Sequence, residues 1–126
     1  MTKEIEKEFF DRFEFIETSG DSRQDAMVWG LECGDGWRDL IWKLCEDIED
    51  ELKKISDPQE FAFRVVQIKE KFGGLRYYVN WGTDSIDKLI AEAEKKSYTV
   101  CEVCGKEAEL RKDNGWLSTV CEIHRE

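Results

Sequence analysis

The apolar positions of this chain fall into three helical stripes interrupted by one segment of a different period. Between Lys3 and Glu17, Ile5, Phe9, Phe13 and Ile16 recur at spacings of four, four and three, with Phe10 widening the stripe, which predicts an amphipathic helix broken at Ser19, Gly20 and Asp21. The stretch from Ala26 to Cys33 is apolar but short, and its pattern fits an extended segment and a buried loop equally. Gly34, Asp35 and Gly36 then read as a turn with Asp35 as helix cap. After it Trp37, Leu40, Ile41, Leu44, Cys45, Ile48, Leu52 and Ile55 share one face of a helix that Asp57 and Pro58 end.

From Phe61 the period changes. β-Branched and aromatic residues lie on both sides of Gly73 and Gly74, and two such runs joined by a glycine pair predict a β-hairpin whose turn uses the positive φ angles that adjacent glycines adopt. Val66 and Ile68 on one arm, with Leu75, Tyr77 and Val79 on the other, are the expected buried face. Thr83 or Asp84 then caps a third helix with Ile86, Leu89, Ile90 and Ala93 inward, ending near Ser97. The predicted class is α+β: helices packed with a β-hairpin as a body over residues 1–98, and a small metal-binding element over residues 99–126.

That element is carried by chemistry. Cys101 and Cys104 form a CxxC followed by Gly105, and Cys121 and His124 form a CxxH. Two residues between ligands let a tight knuckle turn both side chains toward one ion, and Gly105 relieves the backbone where amides face the thiolates. The intervening stretch is long enough for a short hairpin, with Asn114 and Gly115 as its turn and Trp116 packing nearby. Knuckle, hairpin and closing ligand pair are the layout of small zinc ribbons and treble clefs. A Cys3His set leaves no coordination position open for water, so the expectation is one structural Zn2+ per chain and no metal chemistry.

Charge and length add limits. A chain of 126 residues accommodates one core of ordinary size, and its 12% aromatic content opposes disorder. No apolar run reaches the roughly 20 residues that span a bilayer, and the charged N-terminus lacks a signal-peptide core, so the expected location is the cytoplasm. The net charge of −10 lies in the first half, where residues 1–60 carry 18 acidic and 8 basic side chains, a field that repels phosphate backbones. Five cysteines in a cytoplasmic chain point to metal or core positions before disulfides; Cys45 lies on an apolar helix face, and Cys33 is left open.

ECGDGWRDLIWKLCEDIE, VVQIKEKFGGLRYYV, CEVCG and GWLSTVCEIH occur here in the order in which they occur in a family of small uncharacterised bacteriophage and prophage proteins, which the chain resembles from about Trp29 to His124. The resemblance implies zinc binding and a mobile-element origin, and transfers no activity.

No enzyme is expected. The single histidine is committed to metal, which leaves no general base and no histidine for a nuclease of the HNH kind. The favoured reading is an interaction protein that binds a host or phage protein through an acidic or aromatic surface, in its sharper form an inhibitor of a nucleic-acid-acting defence enzyme. Glu46, Asp47, Glu49 and Asp50 would supply the charge, and Trp42, off the apolar stripe, the exposed anchor. The alternative is nucleic-acid binding or transcriptional regulation through the hairpin, where Arg64, Lys69, Lys71 and Arg76 stand with Phe72, Tyr77 and Tyr78 as stacking candidates.

Overall fold

The computed structural model describes residues 1–16, 26–55, 63–113 and 115–125. Its elements are α1 (Lys3–Arg12), β1 (Leu31–Glu32), α2 (Arg38–Lys53), β2 (Arg64–Lys71), β3 (Gly74–Asn80), α3 (Asp84–Ser97), β4 (Glu109–Asp113) and β5 (Trp116–Val120). Short 3₁₀ turns lie at Glu14–Ile16, Ala26–Trp29, Asp35–Trp37 and Glu122–His124. The fold is α+β, as the periodicity predicts. One sheet has the order β1-β2-β3, with β1 parallel to β2 and β3 antiparallel to it, and β4 and β5 form a separate antiparallel ribbon. The breaks expected at Ser19–Asp21 and at Asp57–Pro58, the hairpin's first residue Phe61, and Asn114 lie outside the described residues.

The core follows the stripes. Phe9, Phe13, Ile16, Trp37, Ile41, Cys45, Ile48, Ile68, Leu75 and Ile86 are all fully enclosed. Burying each large side chain is worth about 1.5–3 kcal/mol. Cys45 is a core residue, its Sγ 3.1 Å from the hydroxyl of buried Tyr77, and burial pushes its thiol up to about 12. The same desolvation holds Cys33 at about 12, so neither is poised as a thiolate.

Several local expectations are corrected. The first helix stops at Arg12 rather than Glu17: Phe13 turns extended (φ −119°), so Phe13 at the break and Ile16 in the 3₁₀ turn after it reach the core without a continuous helix face. Thr2 caps this helix by accepting the Ile5 amide at 3.4 Å. Asp35 does not cap α2, which has no side-chain cap; its carboxylate accepts the Thr2 amide at 2.8 Å and so ties the two helix starts together. Thr83 caps α3 as expected. In β2 the buried residue is Val65, not Val66. A bulge between Val65 and Gln67 inserts one residue, so Val65 and Ile68 face inward although three apart.

The hairpin turn also differs. Its positive φ angles belong to Phe72 (+54°) and Gly73 (+86°), while Gly74 begins β3. At Gly74 the ring end of Tyr98 fills the space a Cβ would take, its hydroxyl 2.3 Å from that position, so any side chain there would displace the Tyr98 ring. A bulky residue in the left-handed region costs on the order of 1–3 kcal/mol, and such a position persists only where its surroundings hold it.

Candidate metal centre

The knuckle begins where α3 ends. Gly105, at φ +81°, donates to the Cys101 carbonyl at 2.9 Å, and the Cys101 amide donates to the Lys106 carbonyl at 2.8 Å, closing a turn that aims Cys101 and Cys104 the same way. The β4–β5 ribbon returns the chain, and the 3₁₀ turn after it presents Cys121 and His124, whose backbone bond is 3.1 Å. Knuckle, ribbon and terminal helical turn make the element treble-clef-like.

All four ligand atoms lie within 4.8 Å of one another, the one such Cys/His/carboxylate cluster among the described residues. The Cys104 and Cys121 sulfurs are 3.7 Å apart, and His124 Nδ1 is 3.7 Å from Cys101 Sγ and 3.2 Å from Cys121 Sγ. A tetrahedral ion with the usual zinc bond lengths sets its ligands about 3.8 Å apart for two sulfurs and about 3.6 Å apart for sulfur and nitrogen. The four residues therefore fit one metal ion. Electrostatics point the same way. Burial works to raise the Cys101 thiol, but the amides of Cys104, Cys121 and Val103 outweigh it and bring it down to about 6. Cys121 is also lowered, against its burial, by His124. His124 is raised by its hydrogen bonds to Cys121 and then Cys101. Cys104 moves up: the Lys106 amide favours its thiolate, but burial and the adjacent thiols Cys101 and Cys121 prevail. The pocket favours thiolate at two positions and expels protons when a cation arrives.

The element is clasped to the body at two glycine-bearing loops. On one side the Gly36 amide donates to the Glu102 carbonyl at 2.8 Å, the Gly34 amide to the Glu102 carboxylate at 2.8 Å, and Trp37 Nε1 to the Val100 carbonyl at 2.8 Å. Gly36 has to be glycine, since a Cβ there would lie 2.1 Å from the Cys101 carbonyl oxygen and 2.6 Å from the Gly105 nitrogen. On the other side Thr119, wholly buried, donates its hydroxyl to the Gly73 carbonyl at 2.6 Å, and Leu110 closes over Gly73. Glu70 fixes the same turn by accepting the Gly73 amide at 2.6 Å. The CGDGW and FGGLRYY segments, far apart in sequence, thus both meet the C-terminal element, the first at the knuckle and the second at the ribbon.

The other candidate residues lie elsewhere. Trp42 is not an open anchor. It is half-buried, its ring 5.0 Å from both Phe9 and Phe13 in edge-on contact, with the Arg38 guanidinium 4.4 Å above it. On the same helix Glu49 is bound in a fork by Arg12 at 2.6 and 2.9 Å, which holds its carboxyl below the usual range, and Asp47 is paired with Lys43. Glu46 and Asp50 are exposed and make no ion pair with another described residue.

On the hairpin, Ile68 and Tyr77 are buried, which removes Tyr77 from the stacking candidates, and the alternating neighbours point away from the core. Lys69 sits directly across from Arg76, and Gln67 across from Tyr78. Arg64 and Lys71 are exposed at the two ends of β2. Lys69 Nζ lies 5.9 Å from the Tyr78 ring centre and Lys71 Nζ 5.6 Å from that of Phe72, while Arg76 is steadied by the Tyr98 hydroxyl at 3.3 Å. The alternative set is therefore gathered on one face.

Sequence reasoning placed Phe72 and Tyr78 among the hairpin's stacking candidates but missed Trp81. Phe72 is 64% exposed and Trp81 72%. Trp116, expected to pack by the ribbon, is 79% exposed. No family model, no curated protein and no solved structure matches the chain.

Proposed function

We propose that the chain is a non-catalytic binding protein, stabilised by one structural zinc ion, whose partner surface is the outward face and turn of the β2–β3 hairpin. The observation that carries this reading is the packing of one element against both loops: the ribbon that joins the two ligand pairs holds the FGG turn through Thr119 and Leu110, and that turn presents an exposed ring. A filled Cys3His set is closed to water and employs the chain's single histidine, which supports a holding role for the ion. No helix among the described residues is long and apolar enough to cross a membrane, and action in the cytoplasm accords with this reading.

A second reading keeps the partner on α2. Exposed Glu46 and Asp50 favour it, and so does the acidic first half, which would let a phage-encoded protein occupy the nucleic-acid groove of a host defence enzyme. Against it, Trp42, Asp47 and Glu49 are already engaged. One experiment separates the two: a photo-crosslinking amino acid placed at position 78 or at position 50 of the full chain, irradiated in producing cells. The hairpin reading expects a macromolecular adduct from position 78 and none from position 50. Adducts from position 50 alone overturn it in favour of the acidic face.

A further inference from the structure

Two described residues other than glycine have positive φ, Phe72 at +54° and Trp81 at +62°. Both are large aromatics, both are mostly exposed, and they bracket β3, the strand that also carries exposed Tyr78. The coincidence calls for an explanation, because nothing in the core is gained at either position. A ring packed inward can justify a disfavoured backbone by the apolar area it buries, and these rings bury little. The segment instead leaves three rings exposed along a strand about 20 Å long.

The charges interleaved with these rings are positive. Lys71 stands by Phe72, Lys69 by Tyr78, and Arg76 lies across the strand pair from Lys69. Glu70, the one acid within β2, is turned to the Gly73 amide, and Glu32 of β1 is engaged by Gln67. A local basic, aromatic strip therefore survives on a chain whose net charge is −10, and that contrast selects for partner geometry. A duplex presents a broad phosphate surface that meets the acidic remainder of the molecule, whereas a single strand follows one strip and offers unpaired base faces.

Resting on the hairpin reading above, we propose that the partner is single-stranded nucleic acid, lying along β3 with bases stacked on Phe72, Tyr78 and Trp81 and phosphates met by Lys69, Lys71 and Arg76. The zinc element serves the site through Thr119 and Leu110, which hold the Phe72–Gly73 turn in its disfavoured form. Phe72 and Trp81 are binding residues, and Thr119 is a positioning residue.

The test uses the zinc-loaded full chain and fluorescence anisotropy with labelled mixed-sequence DNA and RNA oligonucleotides, single- and double-stranded, across a salt series. Phe72→Asn and Trp81→Asn are the informative variants, because asparagine tolerates the left-handed backbone and so removes the ring while sparing the turn. Single strands are expected to bind more tightly than duplex. Each ring removal is expected to weaken binding about 5- to 150-fold with the salt slope unchanged. Lys69→Gln and Lys71→Gln are expected to flatten the slope of log affinity against log salt by about 0.7 each. No binding at low salt, equal or tighter binding of duplex, or full affinity in both asparagine variants overturns the proposal. If oligonucleotides fail while the position-78 crosslinker captures a protein, the partner class is wrong but the hairpin surface stands; if that crosslinker captures nothing, both fall.

Discussion

The body and the C-terminal element hold their shapes by different means. The body encloses a run of large side chains from α1, α2, the sheet and α3, whereas the element's buried apolar residues are Cys101, Ala108, Val120 and Cys121, two of them members of the four-residue cluster that fits a metal ion. So small a cluster does not offset the entropy of ordering the element, because four small side chains return little apolar burial. Metal binding is the larger source, since in small zinc modules the binding free energy is folding free energy. The lesson lies at the seam: the body grips the element through backbone hydrogen bonds and glycines, contacts that transmit position and contribute little apolar burial.

The sharpest way to break this contrast is at the metal. Cys104→Ser is expected to abolish stoichiometric zinc and to unfold the element while α2 and the β2–β3 hairpin keep their structure. Cys45→Ala, a comparable change in the core, is expected to leave one zinc per chain, read by metal analysis beside circular dichroism. Next in size is Trp37→Ala, which removes the largest enclosed ring and the bond to the Val100 carbonyl. A loss of about 3–5 kcal/mol in denaturant unfolding is expected, falling on body and element together.

Gly36→Ala is expected to cost about 1–3 kcal/mol, because the added methyl meets the Cys101 carbonyl and the knuckle backbone, which cannot rotate away. A distinctive sign is weaker zinc retention under chelator competition, though no ligand is touched. The smallest effect concerns the Arg12–Glu49 fork. Glu49 titrates below its unfolded range because Arg12 binds it, so its contribution is present above the unfolded carboxylate pKa near 4.3 and fades as pH falls through the folded value. Glu49→Gln is expected to remove that acid-side slope in melting temperature and nothing else.

The parts of this architecture readable from sequence are those set by local spacing. The stripes of α2 and α3 specify helices, and the paired CxxC and CxxH specify a metal site, because ligand spacing and a helical period act over a few residues. The parts not readable depend on tertiary partners. β1 is two residues long and exists through parallel pairing of Leu31 with Ile68. The bulge that exchanges Val66 for Val65 has no local mark, and Trp42 is covered only because α1 crosses it. Gly73 and Gly74 were legible as a turn but not in their separate roles, one beneath Leu110 and the other beneath Tyr98.

The central claim is that the metal orders the element and, through the seam, its two docking loops. Amide hydrogen exchange with and without a zinc chelator tests it most directly. The account predicts that on metal removal the amides of Gly36, Cys101, Glu102 and Gly105, each bonded across or within the junction, lose protection, while those of Leu44 to Ile48 in α2 keep theirs. Unchanged protection at Cys101 and Gly105 after chelation, or equal loss in α2, would contradict it.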